Sequence, residues 1–479
     1  MPIVALIAAV AGLVWGVVYA RRGSLLLAGA ALLVVAYVFG HAFWHYRLGP
    51  LPLTLDRLLL VGLLAAFVAQ WRWGRIEAKP WTGCDWLLAV LLAVLTASTL
   101  VSGQPDVVGA NSVSPLWRLA MSFLVPAALY WIARQAPLSY RQWRGWLVVM
   151  SLLGLYLAGT ALAEITQHWS WVFPRYIADP ALGIHFGRAR GPELNSASLG
   201  VFLTACLWSA WTLRGQVGRA WQLAILATVP LFVLGIFFTY TRSTWLGLLA
   251  SGCVVGYFQL PRTWRLPACG IATLAMIVLV AAVWSDLVGL QREGTARDAH
   301  HSVGQRAAFA YVSWQMFKDH PVAGVGFGRF YDRKLPYLSD RSQSFELESL
   351  RPLDHHNTLL SLLCETGLVG LAAFVALLGA WARSAWSLLR RTDRPAWVRS
   401  HGLLMLAVVV SYLSSALFHD LTLLPTQQWL LFTLAGMTVN LRLKSTEQGA
   451  RSGAIWVPCP RSRQLAHATQ QHAHASVGM

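Results

Sequence analysis

Long apolar runs recur along the chain and constrain its fold more than any other feature. Each run holds roughly 17 to 22 mostly apolar residues, which is enough to cross a hydrocarbon core of about 30 Å as a helix. The runs lack a strand-like alternation, so they predict helices rather than a barrel. Only 12% of the residues are charged, compared with about 25% in soluble domains. The sequence therefore predicts an all-α polytopic membrane protein.

We expect about 12 to 13 transmembrane helices, depending on whether the first run spans. The predicted spans are Ile3–Ala20, Leu25–Phe43, Leu53–Gln70, Asp85–Val101, Leu116–Ile132, Gly145–Ile165, Ala197–Leu213, Leu223–Phe238, Thr244–Leu260, Leu266–Leu287, Leu368–Trp386, Gly402–Phe418 and Trp429–Leu441. Two large external loops remain, at about residues 166–196 and 288–356, and function is to be sought there because loops carry most binding residues.

Positive residues cluster in every second short loop, for example at Arg134, Arg141 and Arg144. Such loops are cytoplasmic in membrane proteins. This bias accounts for most of the formal charge of +18, so we expect no nucleic-acid partner. Residues 1–52 then form N-terminal transmembrane helices, and residues 53–441 form the main membrane domain. Residues 442–479 form a polar cytoplasmic tail whose composition predicts disorder.

The second external loop ends in Asp354, His355, His356 and Asn357, directly before an apolar helix resumes. Ionisable side chains at such a border are costly unless they have a function. A neutral imidazole, with an ordinary pKa of about 6.5, can accept a proton at neutral pH. Neighbouring side chains of a helix point about 100° apart, so the two histidines cannot face one substrate equally. One of them is therefore a candidate base, and the other can be a hydrogen-bonding or capping residue.

Arginines occur at three separate positions on the predicted external face. Arg188 and Arg190 precede the seventh span together with Asn195, Arg242 lies in a very short turn, and Arg306 lies on a helical stretch of the second loop. Arginine presents planar donors that match phosphate oxygens in bidentate fashion. Lysine is nearly absent from these positions, which favours diphosphate recognition over general attraction to acidic lipids. Interfacial arginines that reach towards headgroups are the alternative.

The sequence Gly324-x-Gly326-x-Gly328 is weak evidence for a nucleotide site, because no strand precedes it, and we expect these glycines to be structural rather than to contact a ligand. His419 and Asp420, in the last external turn, are further candidates to line the site. The external loops contain no Asp-x-Asp or His/Glu cluster with ligand spacing, so no metal or other cofactor is expected.

Two ionisable residues, Arg118 and Glu164, lie near the ends of predicted spans. A side chain at such a position can extend to the membrane interface. We therefore expect both to snorkel there rather than to take part in catalysis.

From His356 onward the chain reads His-Asn, nine residues, then Gly367 and Gly370. This resembles the signature of the O-antigen ligase family, H-[NSQ]-x9-G-x-x-[GTY]. The segments around Arg188, Arg242 and the Asp-His-Pro…Gly-x-Gly-x-Gly run are similar to family segments in the same order, and the resemblance extends from about residue 53 to residue 441. Asn-Ser-Ala at Asn195 departs from the commoner Asn-Pro-Asn. The family spacing selects His356 rather than its neighbour as the base.

The resemblance implies an all-helical membrane fold of the GT-C type and a donor glycan carried on a polyprenyl diphosphate. It implies a bacterial cytoplasmic membrane location with a periplasmic site, and a lipid A core, a growing glycan or a protein as acceptor. The mechanism expected from it is metal-independent and inverting. His356 takes the acceptor proton, while Arg188 or Arg190, Arg242 and Arg306 stabilise the leaving diphosphate, with His355, Asn357 and Asn195 as further substrate-binding candidates.

Two alternatives remain open from the sequence. The first is a polysaccharide polymerase, which differs only in its acceptor, another lipid-linked repeat. The second is a transporter for an anion such as bicarbonate, which should place ionisable groups near the bilayer midplane. The strong candidates cluster at one face instead, which favours the transferase.

Overall fold

The computed structural model describes residues 23–48, 51–103, 113–282, 297–342 and 346–453. The first predicted span, Ile3–Ala20, and the last part of the tail, residues 454–479, lie outside the described residues. The helices are α1 (Leu25–Val38), α2 (Leu55–Arg72), α3 (Gly83–Ser102), α4 (Pro115–Gln135), α5 (Tyr140–Ile165), α6 (Ser196–Arg214), α7 (Arg219–Phe237), α8 (Arg242–Gln259), α9 (Arg265–Ala282), α10 (Arg297–Asp319), α11 (Phe330–Arg333), α12 (Thr358–Arg390), α13 (Ala396–Ala416) and α14 (Pro425–Gly453).

Each predicted span that begins within the described residues overlaps a helix, and the all-α polytopic fold is confirmed. Seven of the described helices are long and apolar enough to cross a membrane, namely α3, α4, α5, α6, α7, α12 and α13. The other predicted spans fall on shorter or less uniformly apolar helices. For example, α1 has 14 residues, and α2 carries Asp56, Arg57 and Arg72.

A small antiparallel hairpin, with strands β1 (His45–Leu48) and β2 (Leu51–Thr54), joins α1 to α2. The apolar pattern of the sequence does not predict this hairpin. At the other end of the chain, α14 continues past residue 441 to Gly453. Helical backbone therefore occupies the first part of the segment for which disorder was expected.

The buried centre of the bundle is formed by α14 and α6. Every residue of α14 from Thr426 to Leu441 is buried. The indole N–H of Trp429 donates to a carbonyl oxygen of α4 at 2.8 Å. The amide of Asn440 donates to Ala133 O in α4 at 2.9 Å and to Ala136 O, just after α4, at 2.8 Å. Inside a bilayer, close packing and interhelical hydrogen bonds, rather than burial from water, hold helices together. These contacts therefore fix α14 against α4.

The chain passes back and forth so that both predicted external loops meet at one end of the bundle. α6 starts there after the first loop, α7 returns to the same end, and α8 leaves from it through a turn at residues 238–241. α12 starts there after the second loop, and the turn between α13 and α14 closes the group. The candidate residues predicted from the sequence lie at this end.

Candidate active site

A cavity of about 620 Å³ lies where these loops and turns meet. Six of the eight candidate residues predicted from the sequence line it: Arg188, Asn195, Arg242, Arg306, His355 and His356. Its wall also includes apolar side chains such as Phe309 and Phe418. The structure thus brings Arg188 and His356, which are 168 positions apart in the sequence, into one cavity.

The three arginines of the cavity come from three separate elements. Arg188 belongs to the loop before α6, Arg242 is the first residue of α8, and Arg306 lies on α10. Burial lowers the pKa of Arg306, and the neighbouring Arg242 cation lowers it further. The two guanidinium groups are therefore close enough to repel each other. Like charges that share a cavity are stabilised by a bound anion, and planar guanidinium donors suit phosphate oxygens.

Helix ends add positive potential to the same wall. Among the described helices, α6, α8 and α12 each begin at the cavity, whose lining includes Ala197 and Ser243 in the first turns of α6 and α8 and His356 just before α12. The N-terminal end of a helix carries a partial positive charge, which stabilises a nearby anion. Three arginines and three helix N-termini therefore act in the same direction.

His356 is accessible from the cavity, and its ring packs edge-on against Phe309 with a centroid distance of 4.8 Å. Burial lowers the pKa of His356, Arg306 and Lys334 lower it further, and Asp420 opposes them. The ring is therefore neutral at neutral pH and can accept a proton. Within the part of the chain that the structure describes, no hydrogen bond occupies the His356 ring. Its nitrogens are thus available to a substrate.

His355 is buried and fixed by two hydrogen bonds. Its Nδ1 accepts from the backbone N–H of Asn357 at 3.0 Å, so the proton resides on Nε2, which donates to Ser313 Oγ at 2.7 Å. Burial lowers the pKa of His355 to about 3. The two adjacent histidines therefore differ in their surroundings. His355 is locked in the protein, and His356 faces the cavity.

The two candidate asparagines cap helices. Asn357 Oδ1 accepts from two N–H groups in the first turn of α12, both at 2.9 Å, and its amide donates to Leu417 O at 2.7 Å. Asn195 Oδ1 accepts from two N–H groups of α6 at 2.9 and 3.1 Å. Such caps stabilise helix ends by about 1 kcal/mol. Asn357 is not part of the cavity lining, so the geometry favours a structural role for it.

Arg190 also lies outside the cavity. Its guanidinium donates to three backbone carbonyl oxygens of its own loop, at 2.5 to 2.9 Å. Glu164, at the end of α5, accepts from the backbone N–H groups of Arg190 and Gly191 at 3.1 and 2.9 Å. The geometry favours Arg188 for ligand contact and Arg190 for holding the loop. Glu164 is buried, so the expectation that it snorkels is wrong.

The expectation that Arg118 snorkels is also wrong. Arg118 is buried and pairs with Glu365 at 2.9 Å and with Asp420 at 2.8 Å. It also donates to the hydroxyls of Ser361 and Thr422. Breaking a buried ion pair costs several kcal/mol because it leaves an uncompensated charge. The cluster therefore fixes α4, α12 and the turn before α14 directly beneath the cavity.

Several cavity residues were not singled out from the sequence. His185, Tyr240 and Gln305 line it, as do His419 and Asp420, which the sequence named only as further candidates. His185 and Tyr240 have left-handed backbone, with φ of 62° and 46°. Non-glycine residues adopt this conformation at a cost and often do so at functional sites. No sequence pattern predicts this backbone conformation at His185 or Tyr240.

The glycine-rich turn and the signature glycine fit against each other. Gly367 interrupts α12 with φ of 63° and ψ of −163°. In the turn, Val325 N–H donates to Cys364 O at 3.0 Å, and Gly326 N–H donates to Glu365 O at 2.8 Å. A Cβ on Gly324 would lie 2.3 Å from the carbonyl carbon of Glu365. The glycines thus allow the turn to pack against α12 at its break. The position of Gly367 sets the distance from the cap at Asn357 to this break.

Residues 226–375 match the family model described as O-antigen ligase. This segment includes Arg242, Arg306, His356 and Gly367, whereas Arg188 lies before it. An O-antigen ligase from Salmonella typhimurium is 28% identical over 228 residues, which cover 44% of this chain and 52% of the relative. The chain thus spans about half the length of the curated relative it matches. Both comparisons confirm the resemblance found in the sequence: the chain is a multi-pass membrane protein that is similar to the O-antigen ligase family.

Proposed function

We propose that this protein transfers a glycan from a polyprenyl diphosphate carrier to an acceptor hydroxyl, on the external face of the bacterial cytoplasmic membrane. One observation carries the proposal. Three arginines from separate elements converge on a cavity that also presents a neutral histidine, His356. The name of the Salmonella relative, O-antigen ligase, supports a transfer of this kind.

The arginine wall is suited to a diphosphate. Two linked phosphates need donors on more than one side, and Arg188, Arg242 and Arg306 approach from three elements. Charge-assisted hydrogen bonds from guanidinium are about twice as strong as neutral ones. The N-terminal ends of α6, α8 and α12 add the positive ends of their helix dipoles. Charge that grows on the leaving diphosphate is therefore stabilised by groups that are already in place.

The reaction is a displacement at the anomeric carbon of the donor sugar. The acceptor oxygen attacks this carbon from the side opposite the carrier, while His356 takes the proton of the hydroxyl. The new C–O bond forms as the bond to the phosphate oxygen breaks, and its electron pair goes to the diphosphate. Attack from the opposite side inverts the anomeric configuration. Guanidinium groups supply the positive charge, so no divalent ion is required.

His355 and the cap at Asn357 act through His356 and are positioning residues. His355 accepts the N–H of Asn357 and is anchored to Ser313 on α10. This ties the residue on each side of His356 to the protein. A base held in this way needs little reorganisation when the acceptor binds.

The direction of the site follows from the distribution of positive residues. The cavity lies at the end formed by the two loops that the arginine clusters predict to be external. Placed in a bacterial cytoplasmic membrane, the cavity then faces the periplasm. A lipid A core or a second glycan is the acceptor class reachable from that side.

The test is turnover by purified protein in nanodiscs, with donor extracted from a strain that lacks this gene. Arg242→Lys keeps the charge but loses the planar fork, so we expect kcat/KM to fall at least about tenfold. Arg351→Lys is the matched control, because Arg351 lies in the same external region, is exposed and pairs with Glu348. Equal rates for Arg242→Lys and the wild type would refute diphosphate recognition by this residue.

The base is tested in the same assay. His356→Ala should fold, bind donor and lose about 10² to 10⁴ in rate. His168→Ala, at an exposed histidine outside the cavity, is the control. Near-normal turnover by His356→Ala would exclude it as the base.

The glycan that accumulates in the deletion strain separates ligase from polymerase. A full-length polymer that remains on its carrier indicates a ligase. A single lipid-linked repeat unit indicates a polymerase, and unchanged glycan lipids would contradict both.

A further inference from the structure

An aromatic pair lies beside the cavity, in the loop before α6. The rings of Trp169 and Phe186 are nearly parallel, with a centroid distance of 5.6 Å and an angle of 14°. Phe186 remains 44% exposed. The residue before it, His185, lines the cavity. The exposed ring of Phe186 is therefore next in the chain to a residue of the cavity lining.

The pair is held rigidly. The guanidinium of Arg190 lies 4.7 Å from the Phe186 ring centroid, and its hydrogen bonds to the loop backbone keep it there. Arg175 donates to the carbonyl oxygen of Trp169 at 2.8 Å. A surface that is fixed before binding loses little conformational entropy when a ligand arrives. Arg190 thus has a use that does not require contact with the diphosphate.

His185 adds a neutral polar group to the same rim. Its left-handed backbone, with φ of 62°, is a costly conformation for a residue with a side chain. Burial lowers the pKa of His185 to about 4, and Arg188 and His356 lower it further. A neutral imidazole offers one donor and one acceptor. This combination suits a sugar hydroxyl better than a phosphate.

We propose that Trp169, Phe186 and His185 form a glycan-binding wall that stacks a sugar ring and binds one of its hydroxyls beside the arginine cavity. One face of many sugar rings displays C–H groups, and an aromatic surface removes that face from water. The wall adjoins the place where the sugar must leave the diphosphate, which makes a sugar the occupant. The inference rests on the proposed function, and the sugar belongs to either the donor or the acceptor.

The test compares Phe186→Leu, which keeps apolar bulk without an aromatic face, with Phe186→Tyr, which keeps the face. Trp171→Leu is the matched control, because Trp171 lies in the same loop and is 78% exposed but is not part of the pair. Binding to protein in nanodiscs is measured for bare polyprenyl diphosphate and for the glycan-bearing donor from the deletion strain. KM is then measured for donor and for acceptor. Melting temperatures check that the variants are folded.

We expect Phe186→Leu to weaken the binding of one glycan ligand, donor or acceptor, about three- to tenfold. The Phe186→Tyr and Trp171→Leu variants should bind the glycan ligands as the wild type does. The affinity of Phe186→Leu for bare polyprenyl diphosphate should also remain as in the wild type. A weaker affinity or higher KM for glycan-bearing donor assigns the wall to the donor sugar, and a higher KM for acceptor assigns it to the acceptor.

Two results would contradict the proposed glycan-binding wall. One is an unchanged KM for donor and acceptor in Phe186→Leu together with unchanged binding of the glycan-bearing donor. The other is an equal loss in Trp171→Leu, which would indicate a general interfacial aromatic belt. Failure of the proposed function is separate, because it would appear as absent turnover in the wild type, and the two binding measurements need no turnover.

Discussion

The break in α12 allows a prediction with a magnitude. At Gly367, φ is 63° and ψ is −163°, a region that is open essentially to glycine alone. A Cβ there would lie 2.2 Å from Val322 O and 2.4 Å from Val322 C. These are backbone atoms, so no side-chain rotation relieves the contact. Gly367→Ala should therefore lower the free energy of unfolding by about 3 kcal/mol or more, since the conformation alone costs about 1 to 3 kcal/mol.

Two further glycines of the same helix provide matched comparisons. A Cβ on Gly370 would lie 2.0 Å from the Thr366 hydroxyl oxygen and 2.4 Å from Thr366 Cβ. Rotation of the side chain moves the hydroxyl, which then loses its 2.6 Å hydrogen bond to Leu362 O, but it does not move Cβ. The substitution should therefore cost more than the roughly 1 kcal/mol of the lost hydrogen bond. Gly379 has no atom within 4 Å of the added Cβ, so Gly379→Ala should be neutral or stabilise the helix by up to about 1 kcal/mol.

The assay is thermal unfolding of detergent-solubilised protein, followed by tryptophan fluorescence. The expected order of melting temperatures is Gly379→Ala at or above the wild type, then Gly370→Ala, then Gly367→Ala several degrees lower. Transfer activity should follow the same order, because the break fixes the short segment that begins just after His356. If Gly367→Ala has the same melting temperature as Gly379→Ala, the claim that the signature glycine is needed for backbone geometry is refuted.

Three other predictions concern the site and its orientation. Because the pKa of His356 is lowered, kcat/KM should stay level as pH falls to 6.5 and decline below it as the base becomes protonated; an acid limb above 6.5 would contradict the assignment. Arg190→Gln should lower the melting temperature more than Arg188→Gln does, while Arg188→Gln should raise the KM for donor more than Arg190→Gln does, and the reverse pattern would exchange their roles. In a cysteine-free background, Ser342→Cys should react with a membrane-impermeant thiol reagent in spheroplasts and Thr392→Cys should not; the opposite labelling would invert the topology.

The helices and most of the cavity could be predicted from the sequence, because both depend on local patterns. Apolar runs indicate helices whatever their neighbours are. Arg242 and His356 could be assigned to the same side of the membrane because each lies in a loop that the alternating arginine clusters predict to be external. Even the start of a predicted span at Leu368 coincides with the break in α12, since the apolar run begins just after the signature glycine.

The roles of individual polar residues could not be predicted, because they depend on distant partners. Arg188 and Arg190 are two positions apart in one loop, yet Arg190 turns inward onto carbonyl oxygens and Glu164 holds its backbone. Arg118 pairs with Glu365 and Asp420, which lie 247 and 302 positions away. A single sequence gives no sign of pairs at such separations.

The cavity has two walls that come from separate stretches of the chain. The arginines at 242 and 306 and the histidine at 356 belong to the segment that matches the family model, and the aromatic loop at residues 166–196 lies before it. The loop is held by its own hydrogen bonds, by the end of α5 and, through Glu193, by Thr426 of α14. It also carries Arg188, which the proposed mechanism assigns to the diphosphate. Under that mechanism, exchange of the aromatic residues of this loop with Arg188 retained is expected to change which sugar is accepted while the bond-breaking groups stay in register.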